Sequence, residues 1–245
     1  PTSLLPTIMS TWTFTIKKDY DDIFAGDTYR DWQALYAIDT PTSHIFNHPD
    51  VIRAWVDTFG KTQRINLCWL AAATTDGNRS LFPLVLWRRN WKNAFMRVLM
   101  PAGGGDYDYH NPLFLRPTDI SEYYTALLQF LKSSIAFDEL RFDGIRDALV
   151  AETPEAQWRK GEMCSLLHLN TMQTSADLLP HLRTSLRGDL RRQMRRIEES
   201  VGPLQMVEIK THDEAMKQYD LFMQSHRQRW PNAYKTPGFH DALLS

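Results

Sequence analysis

The sequence predicts a mixed α/β protein, with hairpins and helices arranged around a mixed sheet. Short apolar runs of strand length alternate with longer segments whose apolar residues recur at helical spacing. Two such runs, INLCWLAAA (65–73) and LFPLVLW (81–87), flank TTDGNRS, where Asp76-Gly77 is a hairpin signal. A hairpin there argues against a purely parallel, doubly wound sheet. With 245 residues, 43% hydrophobic and 23% charged, the chain can form a packed globular core.

The elements follow in order. TWTFTIKK (11–18) reads as a strand and TYRDWQALYAI (28–38) as a helix. Next, Pro49 suits a first helical position, Val51, Ile52, Trp55, Val56 and Phe59 form the stripe, and Gly60 is read as the stop. The hairpin strands come after it, then FMRVLM (95–100), then a Gly- and Pro-rich loop at 101–112. Asp119 and Glu122 read as a cap for a helix whose face carries Ile120, Tyr123, Tyr124, Leu127, Leu128, Leu131 and Ile135. ELRFDGI (139–145) and MCSLLHL (163–169) are strand-like. The pattern restarts after Asn170 with a long basic helix, a strand at LQMVEIK (204–210) and a helix carrying Ala215, Met216, Tyr219, Phe222, Met223, His226 and Trp230 on one face.

Bulk chemistry narrows the classes of function. Lys+Arg (28) nearly balance Asp+Glu (29), which argues against a nucleic-acid partner held by global charge; any such role must be local. Cys68 and Cys164 sit in apolar runs without a CxxC, which favours buried thiols in a reducing, cytoplasmic setting over a disulfide or a zinc site. No apolar run reaches the ~20 residues of a membrane span, and no secretory signal is visible. The chain starts at Pro1, with Met9 a candidate start, and GFHDALLS ends within an apolar pattern, so a trimmed polypeptide is expected.

Three stretches carry candidate chemistry. In GGGDYDYH (103–110) the glycines free the backbone, and an extended chain would put Asp106, Asp108 and His110 on one face and Tyr107 and Tyr109 on the other. A ligand-facing loop outweighs a divalent-metal site there, because spacing alone does not fix coordination. In HRQRW (226–230), His226 is a candidate general base, although its place on the apolar face favours a structural role; Arg227 and Arg229 lie off that stripe. From Leu178 on, Leu178 or Leu179, Leu182, Leu186, Leu190, Met194 and Ile197 form an apolar line. Beside it Arg183, Arg187, Arg191 and Arg195 recur every fourth residue. This is an amphipathic helix with a packed edge and a cationic face. Arginine without lysine leans towards planar anion recognition, against the commoner solvated face.

SLRGDLRRQMRRIEESVGPLQMVEI, followed after a helix by HRQRW, resembles the CelD/BcsL-type acetyltransferases, which carry a BioF2-like domain of the GNAT superfamily. The matching residues are Ser185, Leu186, Arg187, Leu190, Arg191, Arg192, Arg195, Arg196, Gly202, His226, Arg229 and Trp230. Trp55, Phe59 and Gly60, the hairpin DGNRSLFPLVLWRR and the loop GGGDYDYHNPLF add to the likeness, which runs from about residue 45. The resemblance implies a GNAT-like acyl-CoA N-acyltransferase fold in tandem halves, as in the Fem aminoacyltransferases. An N-terminal GNAT-like domain over 12–170 would precede an incomplete second one over 171–245.

The resemblance also implies acyl transfer from acetyl-CoA or another acyl-CoA to a small-molecule or cell-envelope saccharide acceptor, with no metal. The family's pyrophosphate loop is not matched: Arg141-Phe-Asp-Gly144 starts correctly, but Arg146 holds the last position. The acyl-CoA site is therefore expected to lie largely beyond Ser245, leaving this piece inactive by itself. Asp106, Asp108 and His226 are the catalytic candidates. Tyr107, Arg187, Arg191, Arg195, Arg229 and Trp230 are the cleft candidates. The alternatives are a nucleic-acid or tRNA-binding module using helix 183–196, and a non-catalytic GNAT-like scaffold.

Overall fold

The computed structural model describes residues 12–38, 43–91, 94–116, 119–145, 175–205, 207–231, 238 and 242–243. They fall into two compact units, one within 1–159 and 226–245 and the other within 160–225. The protein is mixed α/β, and its described residues form two four-stranded sheets, one antiparallel and one mixed.

In the first unit, strand β1 (Trp12–Lys17) leads into helices α1 (Tyr20–Phe24), α2 (Asp27–Tyr36) and α3 (Pro49–Thr62). Each start has a local cause. Asp19 caps α1 by accepting from the Asp22 amide at 2.8 Å. His48 caps α3, with Pro49 in its first turn where no N–H is needed. Strands β2 (Ile65–Leu67), β3 (Trp69–Thr74), β4 (Arg79–Phe82), β5 (Leu84–Trp91) and β6 (Ala94–Pro101) follow. Then come β7 (Leu113–Phe114), α4 (Ile120–Ser134) and β8 (Glu139–Leu140). Asp119 caps α4 through the Glu122 amide at 3.1 Å, as its sequence predicts.

The two long apolar runs each break once. INLCWLAAA divides at Cys68 into β2 and β3, and the second run divides at Pro83 into β4 and β5. Proline has no N–H for the ladder. The Cys68 amide donates to Leu84 O at 2.9 Å and the Ala102 amide to Pro83 O at 3.0 Å, which stitches the breaks together. The hairpin thereby passes from one sheet into the other. The sheets order as β1-β3-β4-β7 and β2-β5-β6-β8, and only β6 and β8 pair in parallel. A parallel pair needs a long crossover; the loop after β6 and helix α4 supply it.

Alternation along the strands divides the core. Trp69, Leu81, Val85, Val98 and Leu113 face a cluster built with Trp32, Trp55 and other residues of α1–α3. Their neighbours Leu70, Phe82, Leu84, Leu99 and Phe114 face a second cluster with Tyr123, Tyr124 and Leu127 of α4. Strands covered on both faces need continuous apolar runs, which is why those segments lack polar alternation.

Five local expectations are corrected. Gly60 does not stop α3, which continues to Thr62; its φ is not positive, so the left-handed turn that ends a helix at glycine is absent. Strand 139–145 shrinks to Glu139–Leu140, because the chain turns at Gly144 with φ 70°. The basic helix is not continuous from Leu178. Helix α5 (Ser175–His181), with Pro180 inside it, ends before α6 (Thr184–Val201) begins. The described residues of 204–210 form no strand, since none of the described strands lies in that unit to pair with them. Helix α7 (His212–Arg229) forms, but its expected packed face does not: of that face only Met223 is buried, and Phe222 and Trp230 are exposed. The strand-like run 163–169 and Cys164 lie outside the described residues.

Candidate functional site: an aromatic-walled cleft

A cleft of about 320 Å³ opens in the first unit, at the carboxyl ends of β6 and β8. Helix α3 supplies Trp55 and Phe59, one turn apart on one helix face, and Gln63, extended just after the helix, adds to the lining. Strand β5 supplies Trp87 and Arg89, two apart and so on the same face. Met100 and Pro101 end β6, Gly104 to Asp106 and His110 come from the glycine loop, and Arg141 and Asp143 follow β8.

The wall is built from rings. Trp55 and Phe59 stack with centroids 4.4 Å apart, and Phe59 meets Trp87 edge-on at 5.7 Å. Trp87 Nε1 donates to Gln63 Oε1 at 3.2 Å, and the Arg89 guanidinium lies 5.5 Å over the Trp87 ring. Trp55 Nε1 donates to Asp106 Oδ2 at 2.9 Å, which orients that carboxylate at the cleft. Arg141 Nε donates to Asp143 Oδ2 at 2.6 Å. The cleft therefore offers a stacking wall together with donors and acceptors of both signs.

The glycine loop has a defined shape. Gly103 has φ 103°, and a Cβ there would overlap the Tyr107 ring. Tyr107 is buried, donates its hydroxyl to Val51 O at 2.7 Å and stacks on Phe46 at 5.2 Å. Burial raises its phenol pKa well above the usual value. His110 is also buried, and its Nε2 donates to Gly104 O at 2.8 Å. Burial lowers its pKa, which keeps the ring neutral at pH 7. The His110 amide donates to Gly144 O at 3.2 Å, tying the loop to the turn after β8.

The sequence candidates separate in space. Asp106 lines the cleft; Asp108 is exposed and is not part of the lining, and Tyr107 anchors the loop from beneath. The extended arrangement of Asp106, Asp108 and His110 is corrected. Asp106 and His110 both line the cleft while Asp108 is exposed outside it, so the three do not converge, and the described residues contain no group of three His, Cys, Asp or Glu that could hold a metal ion. Arg187, Arg191 and Arg195 sit on α6, which buries none of its residues. Its predicted packed edge is exposed at Leu186, Met194 and Ile197. His226, Arg229 and Trp230 group at the end of α7, with the His226 ring 5.0 Å and the Arg229 guanidinium 4.6 Å from the Trp230 ring. Cys68 is a buried free thiol, its pKa raised by that burial.

Sequence reading missed the cleft's aromatic wall. Trp55 and Phe59 read as a core stripe and as part of the family likeness, not as a cleft wall. The alternation of Trp87 and Arg89 was the available signal, and which face of β5 lined a cleft was not in it. Comparison with known proteins finds no matching family model and no significantly similar curated protein or solved structure. Among the described residues no helix is long and apolar enough to cross a membrane.

Proposed function

We propose that the chain belongs to a cytoplasmic acyl-CoA-dependent acyltransferase of GNAT type, with a first GNAT-like domain over 12–170 and a second starting at 171. The observation that carries the reading is the cleft at the carboxyl ends of the parallel pair β6 and β8. Open α/β sheets use that position for ligands. The acceptor, a small amine or a saccharide hydroxyl, occupies this cleft. Its lone pair attacks the thioester carbonyl, the C–S bond breaks, and the coenzyme leaves as a thiolate that takes up a proton, by way of Asp106 or water, to become the thiol. Asp106 takes the acceptor's proton, and Arg89 and Arg141 counter negative charge on the carbonyl oxygen.

Calorimetric titration of the complete protein with acetyl-CoA, paired with thiol release in the presence of amine and saccharide acceptors, tests this reading. Asp106→Asn is expected to slow release by about 10²-fold or more. A complete protein that neither binds acetyl-CoA nor releases thiol refutes it. Binding with undiminished release in Asp106→Asn removes Asp106 from the chemistry, and binding without release leaves a GNAT-like scaffold.

One observation favours a nucleic-acid module instead: Arg191, Arg192, Arg195 and Arg196 are all exposed on α6. Against it, Asp189 pairs with Arg192 at 2.6 Å and Glu199 lies 3.7 Å from Arg195.

A further inference from the structure

The sheet β2-β5-β6 carries a row of like charges. Arg88 lies directly opposite Arg97, and the Arg88 amide donates to Arg64 O at 2.8 Å, so Arg64, Arg88 and Arg97 lie side by side across neighbouring strands. Like charges directly opposite in a sheet are destabilising. Asp138 neutralises Arg97 with a two-pronged contact at 2.7 and 3.1 Å. No carboxylate of the described residues lies within 4.0 Å of Arg64 or Arg88. Both guanidiniums gather instead on Phe95, 5.9 and 5.7 Å from its ring centre, and that ring is 57% exposed.

The geometry points to a binding patch for single-stranded nucleic acid on this face of the sheet, separate from the cleft and from α6. Two cations without a counter-charge call for an anion. Guanidinium planes and an exposed ring together supply flat surfaces on which a base stacks, while the guanidinium edges meet phosphate. A lipid surface fits less well, because inserting Phe95 would carry two strongly charged groups into the acyl region with it. The near-neutral charge of the whole chain is compatible with the patch, since the excess is local.

Fluorescence anisotropy with a labelled oligouridylate of about 12 nucleotides tests it on the full chain. Binding is expected at low salt. Arg64→Glu with Arg88→Glu should weaken it at least about tenfold and flatten the salt dependence by about 1–1.5 in log–log slope, for two lost phosphates. Phe95→Leu, which keeps an apolar side chain but removes the ring, should weaken it several-fold with the slope unchanged. Arg88→Gln guards against a folding artefact: it should raise the thermal midpoint by relieving the like-charge row, yet still weaken binding. The proposal fails if no binding appears at low salt. It also fails if binding is lost in Arg191→Glu with Arg195→Glu but not in the sheet variants. Association with phosphatidylserine vesicles in the absence of oligonucleotide binding overturns it in favour of a membrane surface.

Discussion

At the scale of single residues, Gly103 sets the shape of the loop that borders the cleft. Its positive φ and the Tyr107 ring packed against it leave no room for a side chain. Gly103→Ala is expected to cost at least about 1–3 kcal/mol, read by urea unfolding, and to loosen the loop carrying Asp106. Asp138 gives a prediction in pH. The Arg97 side chain and amide donate to its carboxylate and hold its pKa down at about 2, below the about 3.9 of an unfolded aspartate. Its stabilisation is therefore present above about pH 4 and is lost as pH falls through about 2. The difference in thermal midpoint between wild type and Asp138→Asn should be widest above pH 4 and close by pH 2. Asp106 was legible in the Asp-Tyr loop, because glycine-rich loops with carboxylates commonly meet ligands. Arg89 was not: its place on the cleft wall depends on the face of β5 it occupies and on Trp87 beside it, and both depend on packing.

At the scale of elements, α1, α3 and α4 start where their caps place them, whereas the end of α3, the break between α5 and α6 and the ends of the strands do not follow the local signals. Gly188 lies within α6, and a Cβ there would meet no atom within 4 Å. Gly188→Ala should raise helix stability by about 1 kcal/mol, measured as a shift of the far-UV circular dichroism transition. Burial separates α4 from α6 sharply. Leu127 is fully buried and Ile197 is 40% exposed. Leu127→Ala should cost about 2–5 kcal/mol, and Ile197→Ala within about 0.5 kcal/mol, by denaturant titration. Helical periodicity read α2, α3 and α4 as helices with a buried face, and placed α7 as a helix, because a one-sided stripe is local. It misread the edge of α6 as packed, since periodicity shows that a face is apolar and not whether anything covers it. The breaks at Cys68 and Pro83 escaped the reading because a strand buried on both faces looks uniform along its length.

At the scale of the whole molecule, all eight tryptophans fall within 1–159 and 226–245, the ranges of the first unit, seven of them among the described residues. Tryptophan fluorescence therefore follows that unit, whereas helical circular dichroism also follows α5, α6 and most of α7. The two signals are expected to give non-coincident urea transitions, with the helical signal falling first, because α6 buries no residue. Coincident curves would show a single cooperative unit. The sequence by itself determined the mixed α/β class, the hairpin at Asp76-Gly77, the helix starts and the Asp106 loop, because these depend on local backbone preference and on periodicity. Only tertiary structure decided that one hairpin serves two sheets, that Trp55, Phe59, Trp87 and Arg89 wall a cleft, and that Arg64, Arg88 and Phe95 meet on one face. Those features arise from strand pairing between distant residues, whose register is set by burial on both faces of the sheet rather than by any neighbour in the chain.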